Sequence, residues 1–355
     1  MSRVSGKHLP NTSNAMGIPF VQQYRIGKYL LGRKIRGVER YPVVLMLEPL
    51  FRCNLSCAGC GKIDHPDEIL NKQLDAEACL RAVDECGAPI VSIPGGEPLI
   101  HKEIQAIVEG IIARKKFVYL CTNALLLKKN LHKFTPSRYL TFSIHLDGRR
   151  ERHDASVCQA GVFDKAVEAI QAALDGGFRV TINYTLFQGE TAQEVADFLD
   201  FATDLGIEGI TLSPGYRYEG APQQEAFLQR AASEHLFRDV FRLGKESERK
   251  WPFNQSSLFL DFLAGNQDYQ CTPWGTPTVN VFGWQKPCYL LSDEGYAPSF
   301  KALMEETEWD NYGAGRNPKC ANCMMHCGYE PTAIDDTLLH PLKALRIALR
   351  GPDTA

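Results

Sequence analysis

The sequence contains no run of 18 consecutive apolar residues, so no segment reads as a membrane-crossing helix. Its first 15 residues are polar and hold no apolar core of the kind a secretory leader needs. No stretch repeats at a fixed period and none is of low complexity, which argues against a solenoid. An excess of one charge is also lacking: 39 basic residues stand against 42 acidic ones, for a net charge of −3. Without interleaved aromatic and basic residues, that balance gives no case for a nucleic-acid partner. What is left is a globular, enzyme-like chain of 355 residues, 44% hydrophobic and 23% charged. That length suits one large domain and a smaller one.

Cysteine is abundant, with 12 residues, but too widely spread for a small disulfide scaffold. Seven or eight of them fall into clusters with metal-type spacing, which predicts a reducing, cytoplasmic setting. Cys53, Cys57 and Cys60 form a C-x3-C-x2-C run just after the apolar segment Val43–Leu47. Three thiolates without an obvious fourth suit an iron–sulfur cluster that keeps one iron open to a ligand. A structural zinc loop is the competing reading, but such loops favour C-x2-C pairs and four ligands. Cys79 and Cys86 read as packing residues on a helix, and Cys158 receives no role.

The body of the chain alternates strand and helix. Six β-branched, largely apolar segments read as buried parallel strands: 43–47, 90–94, 117–121, 140–146, 180–186 and 209–213. Between them, Ile104, Ile107, Val108, Ile111 and Ile112 repeat at helical spacing, as do Phe163, Val167, Ile170 and Leu174. Thr191 and Glu194 have the spacing of a capping box. The fold class is therefore α/β, a parallel sheet of six βα units curled into a partial or full barrel. A loop is expected over 215–222 and one long helix over 223–244. Residues 1–15 read as a disordered tail or an added remnant, with Met16 as the native start, and 16–40 as a basic amphipathic segment. Residues 41–250 are assigned to the barrel and 251–355 to a small Cys-rich C-terminal domain.

Functional groups in such barrels gather at the C-terminal ends of the strands. Gly95-Gly96-Glu97-Pro98 ends the second strand: the glycines allow close approach to the backbone, and Glu97 can accept a hydrogen bond from an ammonium. Cys121-Thr122-Asn123-Ala124 ends the third strand, Ser143, His145 and Asp147 end the fourth, and Asn183 lies in the fifth. Farther on, Cys271, Gly283 and Cys288 are followed by Cys320, Cys323 and Cys327. Two stretches, 24–37 and 340–350, mix Lys and Arg with Leu, Ile and Tyr, a pattern of helices that lie on anionic membranes and also of ordinary solvated helices.

The cysteine spacing after its strand, with Gly95-Gly96-Glu97-Pro98 one βα unit later, resembles the radical S-adenosylmethionine (SAM) superfamily. The resemblance implies a partial (β/α)6 TIM-like barrel and a catalytic 4Fe-4S cluster on Cys53, Cys57 and Cys60. It further implies SAM held by Gly95, Gly96 and Glu97, with Asn123, Ser143, His145 and Asn183 as further contacts. Three positions depart from the superfamily pattern: Ala124 replaces a glycine, His145 a serine, and Gly59 an aromatic residue beside the third cysteine. An open adenine pocket or a ring from elsewhere would follow from Gly59. The later cysteines resemble the auxiliary-cluster domains of the SPASM and Twitch groups. Too few for two clusters, they imply one auxiliary 4Fe-4S cluster or a zinc site on Cys271, Cys288, Cys320 and Cys323, with Cys327 as alternate fourth ligand.

Longer strings, Leu47–Leu55, Cys57–Ile63, Phe142–Gly148 and Gly283–Tyr289, resemble the adenosylhopane synthase subfamily of hopanoid biosynthesis. That resemblance implies addition of a 5′-deoxyadenosyl radical to the alkene of diploptene, an apolar triterpene, with flavodoxin or ferredoxin as electron donor. An apolar cavity opening toward the two basic helices, and peripheral contact with the inner face of the membrane, are then expected. Addition leaves a carbon radical that needs one hydrogen, and Cys121 is the candidate donor, against the plain reading of a packing cysteine. The rival functions are a SPASM/Twitch-type enzyme modifying a peptide or small molecule, and a structural iron–sulfur or zinc protein.

Overall fold

The computed structural model describes residues 18–216, 220–221 and 223–354. The expected tail over 1–15, the expected start at Met16 and part of the expected loop over 215–222 lie outside the described residues. Six parallel strands run in sequence order: β1 (Val44–Leu47), β2 (Ile90–Ile93), β3 (Phe117–Thr122), β4 (Leu140–His145), β5 (Arg179–Leu186) and β6 (Gly209–Pro214). Each expected strand is found within a residue at either end. The sheet then continues past β1 into β7 (Thr278–Asn280), β8 (Gly283–Gln285) and β9 (Tyr296–Ala297), in the order β6-β5-β4-β3-β2-β1-β7-β8-β9. β7 pairs parallel with β1, and β8 and β9 turn back antiparallel, so the sheet itself joins the Cys-rich segment to the barrel.

Period-2 alternation divides the strands between two surfaces. Leu45, Val91, Val118, Leu120, Phe142, Ile144 and Ile182 are fully buried in one apolar core with the helix residues Ile107, Ile111, Ile170 and Phe198. Ser92, Cys121, Ser143, His145 and Asn183 hold the alternate positions, so the inner face is polar where the outer one is apolar. β6 is an open edge, and Gln255 closes it: its side-chain amide accepts from Leu212 N and donates to Leu212 O, both at 2.8 Å, as a neighbouring strand would.

The other end of the barrel is plugged. Helix 20–35 lies across the strand beginnings, where Gln22 donates to the Tyr119 hydroxyl at 2.8 Å and accepts from Arg179 at 3.4 Å. Arg25 donates to Lys115 O before β3, and the Tyr29 hydroxyl to Pro42 O before β1. The expected opening of the site toward this helix is therefore corrected: the helix caps the barrel end opposite the strand termini that carry the functional groups. The expected helix over 223–244 is also revised. A single 3-10 turn, Gln224–Ala226, precedes helix Arg230–Glu246, because Phe227 is extended (ψ 140°) and turns its ring to Phe187, centroids 5.8 Å apart.

The capping box at Thr191 forms in full: its hydroxyl accepts from Glu194 N and the Glu194 carboxylate accepts from Thr191 N at 2.8 Å. Replacing Thr191 with Ala should lower the unfolding free energy by about 1 kcal/mol. Equilibrium urea unfolding checks this: the midpoint falls and the slope stays unchanged.

Candidate functional site

The loop that follows β1 carries Cys53, Cys57 and Cys60, all free thiols and all partly buried. Its seat is backbone on backbone. Gly96 N donates to Leu50 O at 3.0 Å and Glu97 N to Arg52 O at 2.9 Å. Gly95 sits at φ +107°, and a Cβ there would come within 2.6 Å of Leu50 O. A Cβ on Gly96 would meet Arg52 O at 2.1 Å and Phe51 O at 2.3 Å. The close approach that these glycines permit is thus made by the cysteine loop itself.

Glu97 is fully buried and its carboxylate is already occupied. It accepts from Leu99 N at 3.0 Å, from Asn123 N at 2.9 Å and from the Thr122 hydroxyl at 2.8 and 3.0 Å. Burial pushes its pKa up to about 7 against the pull of those donors. Glu97 thereby clamps the ends of β2 and β3 together. Beyond it, Asn123 Nδ2 donates to Asn54 Oδ1 at 2.8 Å and lies 3.8 Å from Cys53 Sγ. Ala124 takes φ +66°, so the turn keeps a glycine-like conformation although the residue has a side chain.

The three thiols are close enough to influence one another. Burial and then the thiols of Cys60 and Cys53 push the Cys57 thiol up, and burial pushes Cys53 up to about 11. Among the described residues no three His, Cys, Asp or Glu side chains converge tightly enough to clasp one metal ion. A zinc site draws its thiolates to within about 2.3 Å of one ion. Three mutually close thiols on one loop fit a cluster that takes three cysteine ligands, and Cys53, Cys57 and Cys60 would hold it.

His145 Nε2 pairs with Asp147 at 3.0 Å on the inner face. Burial works against protonation of His145, but Asp147 outweighs it and raises its pKa. Asp147 also accepts from Thr185 N at 2.9 Å and from the Ser156 hydroxyl at 3.1 Å, while its own N–H donates to His153 Nδ1 at 3.1 Å. Burial and then His145 lower His153 to about 4, so this inner partner stays neutral. Asn183 is the register neighbour of His145, and Ser143 that of Cys121. The Cys121 thiol lies 3.4 Å from the Ser92 hydroxyl, and burial pushes its pKa up, so it keeps its proton.

Gly59 has a ring against it. A Cβ there would come within 3.0 Å of Phe187, with Phe227 just beyond at 3.8 Å. Phe187 follows β5, far from Gly59 in sequence, so no local spacing could have disclosed the pair. His153 and Glu48 were missed for the same reason. Glu48 is nearly fully buried and pairs with Lys62, just past Cys60, at 2.8 Å.

All five later cysteines, Cys271, Cys288, Cys320, Cys323 and Cys327, line one cavity together with Tyr216 and Tyr329. Gly328 makes room there: a Cβ would stand 2.6 Å from Cys271 Sγ. The cavity is tied to the barrel by His326, whose Nδ1 lies 2.8 Å from the Ser213 hydroxyl at the end of β6. Burial lowers His326 to about 4 and keeps it neutral.

Comparison with known proteins agrees with this geometry. Residues 47–202 match the profile of the radical SAM superfamily, and residues 210–347 match a profile described as a domain of unknown function (DUF3463). A GTP 3′,8-cyclase of Clostridium perfringens (strain 13 / Type A) is 26% identical over 253 residues, 67% of this chain and 77% of that protein. The GTP 3′,8-cyclase of Aliarcobacter butzleri (strain RM4018) is 27% identical over 290 residues, 78% of this chain and 88% of its own. Among solved structures, Streptococcus suis SuiB aligns with TM-score 0.66 at 17% identity, covering 87% of this chain and 76% of SuiB. In its SAM-bound form the chain spans 63% of SuiB, at TM-score 0.59 and 18% identity over 74% of this chain. A histidine-tagged anSMEcpe with bound AdoMet aligns with TM-score 0.59 at 18% identity, covering 87% of this chain and 99% of that one. At such identities the structural likeness concerns the fold.

Iron content separates the two cysteine groups. A Cys53/Cys57/Cys60 triple-Ala protein should keep the iron of the later cysteines alone; retention of neither iron nor zinc would remove the second centre. Gly96→Ala should lose as much iron as Cys57→Ala, with an unchanged circular dichroism spectrum, because the new methyl displaces the loop carrying all three thiols.

Proposed function

We propose that this protein, a radical SAM enzyme with a 4Fe-4S cluster and SAM as co-substrate, adds the 5′-deoxyadenosyl group to the terminal alkene of diploptene to form adenosylhopane. When bound, the cluster supplies the electron that cleaves SAM. The rest is the work of this chain's residues. Asn123 and the Gly95-Gly96 backbone stand beside the cysteine loop, where the amino acid end of SAM would sit. Phe187 offers, against Gly59, the ring that other members carry next to the third cysteine, and would flank adenine. The pair His145–Asp147, with Asn183 beside it, offers hydrogen-bonding groups for ribose or carboxylate.

The observation that carries the reading is Cys121. Radical addition to an alkene makes a carbon–carbon bond and leaves a carbon radical, which then takes a hydrogen atom. An S–H bond is weaker than an alkyl C–H bond, so a neutral thiol on the inner face can supply that atom. The resulting thiyl then takes one electron and one proton from the flavodoxin or ferredoxin system and solvent. Burial keeps the Cys121 thiol protonated, and its inner-face position among Ser92 and Ser143 leaves it directed to the interior. The strings 47–55, 57–63, 142–148 and 283–289 support the substrate.

A second reading, modification of a peptide or another small molecule by a SPASM/Twitch-type enzyme, draws support from the five-cysteine cavity and the SuiB-like fold. The two differ in where the adenosyl group ends. Incubation with SAM, dithionite and diploptene should yield adenosylhopane by mass spectrometry. Free 5′-deoxyadenosine as the sole nucleoside product would favour the second reading. Cys121→Ala should cleave SAM and form the carbon–carbon bond, yet give altered or solvent-quenched products; adenosylhopane at the parent rate with no side products would falsify the donor role. Phe187→Ala should raise the KM for SAM up to about tenfold, in line with an aromatic contact of at most about 1.4 kcal/mol.

A further inference from the structure

Ten of the eleven large hydrophobic side chains exposed among the described residues lie on helix 20–35, the end of helix 326–339 and helix 341–350. On the first helix, Phe20, Tyr24, Leu31 and Ile35 fall, with Lys28 between them, at the three- and four-residue steps that align along one face. The face turned to the barrel carries Gln22 and Leu30 instead. A helix packed on a globular protein ordinarily shows its polar side outward. Leu338, Leu342, Leu345 and Leu349 repeat the same steps across the bend at His340.

The fold brings both stripes to one end of the molecule. Asp335 binds Lys34 of the first helix at 3.3 Å and the Tyr41 hydroxyl at 2.7 Å. At its far end the C-terminal helix reaches Lys245, in the last turn of helix 230–246, through Thr354 at 3.2 Å. That turn leads to residues 252–254, which pair with the start of β6. The strand beginnings thus mark this end, opposite the cysteine loop.

Charge says what such a face meets. Residues 20–36 carry Arg25, Lys28, Arg33, Lys34 and Arg36, and 341–350 carry Lys343, Arg346 and Arg350, with no acidic residue in either, in a chain of net charge −3. Lys28, Arg36, Arg346 and Arg350 form no ion pair among the described residues. Of the carboxylates at this end, Asp335 and Asp336 are already engaged by Lys34 and by Lys343 and His340, while Glu39, just past the first helix, is exposed. Apolar stripes bordered by free cations match the headgroup region of an anionic bilayer, where apolar side chains enter and Lys and Arg meet lipid phosphates.

We infer that this end of the barrel is a peripheral docking face for an anionic lipid bilayer, with the cysteine loop and the five-cysteine cavity turned away from the lipid. The inference stands whether or not diploptene is the substrate. Its test is flotation of the reconstituted, full-length holoprotein with vesicles of phosphatidylcholine alone or with 40% phosphatidylglycerol, at about 50 mM salt. Partitioning should be at least tenfold stronger on the anionic vesicles and should fall as salt rises. Leu31→Glu/Ile35→Glu and Leu342→Glu/Leu345→Glu should each reduce it about tenfold, with iron content and dithionite-driven SAM cleavage unchanged. Should either variant lose iron, Lys28→Glu/Arg346→Glu, which alters only exposed charge, carries the same expectation. Equal partitioning on both vesicles, or by parent and variants, overturns the inference. So does a lipid-free dimer, measured by light scattering, that these substitutions dissociate, since the face would then belong to a second copy of the chain.

Discussion

The buried carboxylate of Glu97 is the constraint on which the site depends. Among the described residues it has no cationic partner, and three donors from two different strand ends converge on it. Its own N–H reaches the cysteine loop at Arg52 O. One residue therefore fixes the end of β2, the Thr122-Asn123 turn after β3 and the loop carrying three thiols. A buried carboxylate left without these bonds would cost several kcal/mol, so the three segments are placed together or not at all. A motif that looks like a ligand contact in the sequence is thus also a structural junction in the fold.

How much was legible follows from which signals are local. The six parallel strands were readable because β-branched runs alternate with helical periodicity, and the capping box of Thr191 because both partners lie in one turn. The three-thiol loop was readable because a cluster's ligands are spaced along one segment. What escaped were partners brought together only by the folded sheet. Phe187 reaches Gly59 from the end of β5, Gln255 closes β6 from a later loop, and His153 supports Asp147 from the next helix. The strands β7, β8 and β9 escaped for a different reason: three, three and two residues long, they are too short to display a period. Helix 20–35 was legible as basic and amphipathic, but nothing in its pattern tells that Gln22 faces the barrel, since that depends on Tyr119 and Arg179 being there to receive it.

Closure of one barrel end by helix 20–35 also orders the chemistry. The polar inner face is approached from the strand termini, beside the loop that carries the thiols. Any ligand of the inner face would enter by that approach, and the neutral His326–Ser213 contact places the second cysteine group at the rim of the same opening. A hydrocarbon substrate would come to that rim rather than pass through the plug.

The parallel pairing of β1 with β7 has a consequence for how the chain is made. Met46 and Leu47 pair with Thr278 and Val279, so the outer edge of β1 waits for some 230 residues of further synthesis. At about 5–20 residues per second on the ribosome, that edge stands unpaired for on the order of ten to fifty seconds. An apolar strand with one open side is a template for pairing with other chains. The nascent barrel thus spends its most aggregation-prone interval with its cysteine loop already synthesised, and a truncation before residue 278 would make that interval permanent.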